Sequence, residues 1–295
     1  MRDRMQQSRF ELKYIISEET AMRVRDFLQA YIHMGYIDVD EYSVGKPNLS
    51  YPVHSLYLDS RDLSTYWDTI NGNKNRFKLR IRYYDDAPGS PVFFEIKRRM
   101  DHCILKQRGG VRKEVVPRLL AGYQPDPAHM LSRAEKQYVA IQRFHYLMQQ
   151  LQATPKVHIA YLREAYVSAN DAFRVTLDRD VCAEANLEGT IKTQMTNPAR
   201  SFQGVVILEL KFTDRFPNWY RDLVRVVNVM QCGAAKYVDS VQAIGHCALE
   251  APHSVVEEAP PRLSIPGQPD FRRERLGPLP VPDWVLEQQG ASTLE

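Results

Sequence analysis

Five short segments of this chain alternate charge and hydrocarbon with a period of two, and that pattern restricts the fold more than any other feature. In Lys78-Leu79-Arg80-Ile81-Arg82, three cations share one parity and two aliphatics the other. Phe94-Glu95-Ile96-Lys97, Phe10-Glu11-Leu12-Lys13-Tyr14, Arg174-Val175-Thr176-Leu177-Asp178 and Leu208-Glu209-Leu210-Lys211-Phe212 repeat it. Side chains alternate across a β-strand, so each segment has one charged or polar face and one apolar face. For any single strand, a charged face turned to water is the ordinary reading. Here, however, Glu is mixed with Lys or Arg at i, i+2 in three strands, and the Thr, Ser and Gln common on solvated sheets are scarce. The apolar faces also need a cover.

Three stretches supply that cover. Residues 17–31 open with Ser-Glu-Glu, residues 132–151 open with a capping-box pattern, and residues 216–231 have Pro217 near their start and Gly233 just past their end. All three read as amphipathic helices. A barrel with its charged face inward and helices outside satisfies both demands and leaves no exposed sheet edge. The expected fold is therefore α+β, a closed antiparallel β-barrel tunnel with flanking helices.

The chain carries 39 Lys and Arg against 36 Asp and Glu, a net charge of only +3, so an anion site must come from local arrangement. A lumen lined by so many cations would repel itself unless water or a polyanion filled it. A triphosphate offers about four negative charges and many acceptor oxygens, which suit Arg forks and Lys point charges. The carboxylates on the same faces suit Mg²⁺ or Mn²⁺, hard cations that bridge phosphate oxygens. Nucleic-acid binding is disfavoured, because the cations lie inside strands and not on an aromatic-bearing surface.

Compartment and boundaries follow from the rest of the chain. No run approaches the roughly 18 apolar residues of a membrane span, and residues 1–10 lack the apolar core of a secretory signal. Cys103, Cys182, Cys232 and Cys247 show no CxxC spacing, which fits a reducing cytoplasm. Eight of the 18 prolines fall after residue 250. Residues 251–295 thus read as a solvated Pro-rich tail, with Trp284 and Leu286 as a docking option and Arg272, Arg273 and Arg275 as a solvated basic cluster. The folded domain is placed within residues 1–250.

Eight motifs occur in order: RFELKY at 9–14, SLYLDS at 55–60, KLRIRYY at 78–84, FEIKRR at 94–99, AYLREAY at 160–166, FRVTLD at 173–178, LELKF at 208–212 and AKYVDS at 235–240. Together they resemble the VTC domain, the polyphosphate polymerase module of the vacuolar transporter chaperone complex and of soluble bacterial relatives, within the CYTH-like, triphosphate tunnel metalloenzyme superfamily. The resemblance implies a tunnel that binds ATP and a metal and transfers the terminal phosphoryl group to a growing polyphosphate chain. It implies phosphate-holding or catalytic roles for Arg80, Arg82, Lys97, Arg163 and Arg174. Lys13, Lys78, Lys106, Lys211 and Lys236 would add phosphate contacts. Glu209, with Glu11 or Glu95, would anchor Mn²⁺ or Mg²⁺. The acceptor phosphate would enter from the far end of the tunnel and attack without a general base.

One departure bears on the reaction. The superfamily's hydrolases begin with ExExK, whereas Arg9 stands at the first acidic position here. That favours a polymerase over a triphosphatase of the same fold, while the near-complete set of matching cations and Glu209 argues against a non-catalytic polyphosphate-sensing module. A membrane-protein partner that draws product away stays open. His54, His102, His145 and His158 show no metal-binding spacing and read as surface or core residues. Tyr57 and Asp59 read as packing and strand-end capping, and the Arg98-Arg99 pair stands at the edge of the tunnel at most.

Overall fold

The alternating segments become strands in the computed structural model, which describes residues 9–101, 103–213 and 215–250, all within the unit Met1–Pro252. The tail expectations, including Arg272, Arg273, Arg275, Trp284 and Leu286, and that for His102, lie outside the described residues. In chain order the elements are β1 (Arg9–Ile16), α1 (Glu18–His33), β2 (Asp38–Val39), β3 (Ser50–Asp59), α2 (Ser64–Ile70), β4 (Asn75–Tyr83), β5 (Pro91–Met100) and β6 (Cys103–Arg112). There follow α3 (Val116–Leu120), α4 (Glu135–Gln150), β7 (Thr154–Val167), β8 (Phe173–Ala185), β9 (Ala199–Arg200), β10 (Val206–Thr213), α5 (Asn218–Val227) and α6 (Lys236–Ile244).

The strands form one antiparallel sheet in the order β2-β7-β3-β4-β5-β6-β1-β10-β8-β9, and β7 also pairs with β8. The sheet thus curls round on itself. Among the described residues, β1 and β6 share the single pair Arg9↔Ile104, whereas β1 and β10 share eight. That register carries the rest of β1 past Cys103, the first residue of β6, so the ladder stops there. An antiparallel sheet flanked by helices agrees with the α+β expectation, but the ladder is not continuous around the circuit.

The apolar parity of the strands packs outward under helices. Leu79, Ile81, Phe94 and Ile96 meet Ile141, Phe144 and Met148 of α4. Tyr14, Leu177, Leu208 and Leu210 meet Val24 and Leu28 of α1 and Tyr220 and Leu223 of α5. Fully burying side chains of this size contributes about 1.5–3 kcal/mol each. Close seating of α4 on β6 requires Gly109, where a Cβ would stand 2.5 Å from the Gln137 carbonyl and from Ile141 Cγ1.

Helix ends differ from the expectation in detail. Ser17 caps α1, accepting from Thr20 N at 3.1 Å. No capping box forms at α4, because Ser132 accepts from Ala134 N and the helix starts only at Glu135. α5 ends at Asn228, in the left-handed conformation (φ 50°), well before Gly233. Helices α2, α3 and α6 were not expected, nor was charge buried on the outer side of the sheet. Glu164 there binds Arg25 of α1 at 2.8 Å and Arg179 at 2.7 Å, and Arg179 reaches Glu18 at 2.9 Å. This network fastens α1 across β7 and β8. Among the described residues, no helix is long and apolar enough to cross a membrane.

Candidate functional site

The charged parity of the strands collects on the inner, concave face of the sheet, where cross-strand register sets which charges meet. Glu209 faces Lys13 across β1–β10, Arg80 faces Glu95 across β4–β5, Glu95 faces Arg108 across β5–β6, and Arg163 faces Asp178 across β7–β8. Around the Glu209 carboxylate stand Lys211 (2.6 Å), Lys236 (3.0 Å), Lys13 (3.1 Å) and Arg163 (3.5 Å). Asp178 accepts two bonds of 2.7 Å from the Arg163 guanidinium and pairs with Lys236 at 2.7 Å. Glu11 joins this group through Lys13 at 3.2 Å and extends it to Lys97 at 3.0 Å. Glu95 gathers a second group, with Arg80 and Lys106 at 2.7 Å and Arg108 at 3.4 Å. Arg174 pairs with Asp40 at 3.2 Å.

Charge on this face is costly to bury and is kept ionised by pairing. Burial alone would raise Glu209, yet Lys13, Lys211, Lys236 and Arg163 hold it well below the usual carboxylate range. Asp178 is likewise lowered, burial being outweighed by Arg163 and Lys236. Burial would lower Lys13, but Glu209 and Glu11 hold it above the ordinary lysine value. Lys211 comes down to about 8, because burial outweighs Glu209.

Two inner-face cations differ from the rest. Among the described residues, the Lys78 and Arg82 side chains form no ion pair or hydrogen bond. Lys78 Nζ stands 5.2 Å from the Tyr237 ring centroid, and burial, Lys97, Arg76 and Lys13 bring its pKa down to about 7. Arg82 is buried, lies 5.7 Å from the Tyr161 ring, and has a buried Nε without a partner. The Tyr161 ring also faces Lys236 at 5.0 Å and Arg163 at 5.2 Å.

One end of this face is covered. Tyr237, Val238 and Val241 of α6 pack on Tyr57, Val157, Ile159, Ala183 and Ile207, residues of the same inward parity as Tyr161 and Glu209. Lys236, in the first turn of α6, therefore points into the charged interior. Tyr237 stacks on Tyr57 with ring centroids 4.9 Å apart and donates to Asp59 at 2.7 Å. α6 thus lies across part of that end, where Lys97 and Lys106, in register beside Lys78, stay one third to nearly half exposed.

Residues 8–244 match the family model of the VTC domain. The chain belongs to the VTC-domain family. No curated protein matches it. A solved structure from Bacillus halodurans, described as a "putative adenylate cyclase", is similar at 14% identity and a TM-score of 0.44, over 78% of this chain and 96% of that one. That likeness is too loose to carry an argument.

In this VTC domain, all ten cations singled out from the sequence lie on the inner face: Lys13, Lys78, Arg80, Arg82, Lys97, Lys106, Arg163, Arg174, Lys211 and Lys236. The three carboxylates are not equivalent. Glu11 and Glu209 share Lys13 and so lie on either side of one cation, whereas Glu95 is held by its own set of Arg80, Lys106 and Arg108. Among the described residues, no three His, Cys, Asp or Glu side chains form one metal-binding group. Two carboxylates nevertheless suit Mg²⁺ or Mn²⁺, which complete their shell with phosphate oxygens and water. Glu11 and Glu209 fit that donor set, and Glu95 does not join it.

Sequence reasoning missed Asp178, which neutralises Arg163 and Lys236, and Arg108, whose guanidinium lies 3.4 Å from the Phe93 ring centroid. Both were within reach: Arg108 follows Lys106 at i+2, and Asp178 closes the Arg174-to-Asp178 alternation. Asp59 closes the end of β3 by accepting from Ser60 N at 2.8 Å, and beyond the strand-end role expected it accepts from Thr65 N at 2.9 Å and Tyr66 N at 3.1 Å in the first turn of α2. Tyr57 faces inward and accepts from Arg80 at 3.2 Å. His54 and His158 pair with each other in the core at 3.1 Å.

Proposed function

We propose that this VTC domain is a metal-dependent phosphotransferase that uses ATP to extend polyphosphate, within an interior that functions as a tunnel. The observation that carries the reading is the state of Lys78 and Arg82. In an interior where the other singled-out cations are held by carboxylates, these two donors, four residues apart on β4, are aimed inward with no ion-pair or hydrogen-bond partner among the described residues. Unpaired buried cations are costly unless an anion regularly meets them.

Phosphoryl transfer needs positioning and charge neutralisation more than covalent help. Lys78 and Arg82 would take phosphate oxygens directly, while Arg80, Lys97, Arg163 and Arg174 keep a carboxylate on one side and offer remaining N–H groups to substrate. Lys13, Lys106, Lys211 and Lys236 add point charges around them. Glu11 and Glu209 would hold Mg²⁺ or Mn²⁺, which when bound neutralises charge on the phosphate oxygens. The acceptor phosphate is already an anionic nucleophile, so the residues need orient it only and no general base is required. The partners of this reading are ATP and polyphosphate, and its compartment is the cytoplasm, supported by four free thiols.

Incubation with ATP and Mn²⁺, read on a gel, tests the reading. Long phosphate chains are expected. Stoichiometric free phosphate would mean a hydrolase, and tight polyphosphate binding without turnover would mean a binding module. Arg82→Ala and Glu209→Ala should each lower turnover ~100- to 1000-fold, the usual cost of losing a charge-stabilising group at such a transition state. Full activity of a folded Glu209→Ala protein in metal-containing buffer would remove Glu209 from the metal site.

A further inference from the structure

The end of the interior away from α6 carries a group of aromatic rings that phosphate chemistry leaves unused. Tyr51 is the second residue of β3, Tyr84 follows β4, Phe93 is the third residue of β5, and Tyr42 lies in the turn after β2. The Tyr42 and Tyr84 rings are parallel to within 6° with centroids 6.1 Å apart, and Tyr51 stands 5.8 Å from Tyr42 and 6.3 Å from Tyr84. Phe93 continues the group 6.4 Å from Tyr84 and carries the Arg108 guanidinium on its face. Tyr42 is 59% exposed although its neighbours are buried or half-buried, so one face of the group is open to solvent.

We propose that these rings stack the base of a purine nucleoside triphosphate whose phosphates enter the charged interior, an inference that rests on the phosphotransferase reading above. The positions support it. Arg108 touches both regions: its plane lies on Phe93, and its Nε is 3.4 Å from Glu95 in the interior. A nucleotide bound lengthwise would meet the rings with its base and the cations with its phosphates. Inorganic polyphosphate has no π-face and gains nothing from the rings. Stacking reads aromatic area and not hydrogen-bond pattern, so ATP and GTP bind alike and CTP more weakly.

Titration calorimetry on the full chain in one magnesium-containing buffer tests this, with ATP and inorganic tripolyphosphate as separate probes. Tyr42→Ala should weaken ATP about 5- to 150-fold, the range of one lost base–aromatic stack, and leave tripolyphosphate within about twofold. Tyr42→Phe should restore ATP binding, since the ring and not the hydroxyl is used. Exposure of Tyr42 makes loss of fold an unsuitable explanation, and circular dichroism checks it. Equal losses for both probes, or no change for ATP, would overturn the proposal. If the wild-type protein binds tripolyphosphate but not ATP, the base site fails and the phosphate site stands. If it binds neither, the phosphotransferase reading fails first and this one with it.

Discussion

Lys78 is an inner-face cation whose chemistry is changed by its place in the fold. Burial and three neighbouring cations bring it to about 7, so in the empty protein it loses its proton near neutrality. A bound polyanion would restore the lysine's affinity for that proton. The sign follows: binding takes up a proton where the pH lies above the empty-state value and below the bound one, and affinity falls as pH rises through about 7. Titration calorimetry of tripolyphosphate in two buffers of different ionisation enthalpy should show this uptake. The ligand's own titration is common to all variants, so Lys78→Arg, which stays charged, should remove the Lys78 part of the pH dependence and leave that of Lys106 and Lys211, which burial brings down to about 7 and about 8. A Lys78→Arg protein with the wild-type profile would remove Lys78 from the anion site. At this scale the sequence was informative about parity and silent about partners. Lys78-Leu79-Arg80 shows which side chains share a face, but only the register Arg80↔Glu95, set by the whole sheet, shows that Arg80 is paired and Lys78 is not.

At the scale of elements, long periodic segments were legible and short ones were not. α1 and α4 have 16 residues each, long enough for a stripe at helical spacing to stand out. α6 has nine residues, has no side-chain cap, and follows a stretch with no start signal, so its Lys-Tyr-Val-Asp-Ser motif was visible as a motif but not as a helix. Its position depends on tertiary contacts, chiefly Asp59. That one carboxylate accepts from Ser60 N, Thr65 N, Thr65 Oγ1, Tyr66 N and the Tyr237 hydroxyl, tying the start of α2 to α6. Asp59→Ala leaves these buried donors without an acceptor and should lower stability by about 3 kcal/mol. The midpoint of denaturant unfolding measures it. A loss below about 0.5 kcal/mol would mean that water replaces the carboxylate and that α6 is held by its apolar face alone.

At the scale of the molecule, a net charge of +3 conceals a segregated distribution, with cations concentrated on one concave face. That face is strained by its own repulsion, so a polyanion should stabilise the native state as well as bind it. At 100 times its Kd, tripolyphosphate should add about 2.7 kcal/mol, a rise of roughly 5–10 °C in Tm for a domain of this size. The Arg82→Ala protein should show a smaller rise at the same ligand concentration. Differential scanning measurements decide it, and an unchanged wild-type Tm would argue against a site on this face. The outer helices, the inward charge and the general α+β class could all be inferred from alternation. The interrupted β1–β6 seam could not, because it depends on where one strand runs past the end of another.

The seating of α6 has a consequence for traffic. If the interior extends polyphosphate as proposed, α6 narrows the end where Lys236 and Tyr237 stand. A lengthening chain would then either pass beside that helix or back out along the path of its donor. In the second case each added unit crowds the entrance for the next donor, and chain length would be limited by congestion before it was limited by bond-making.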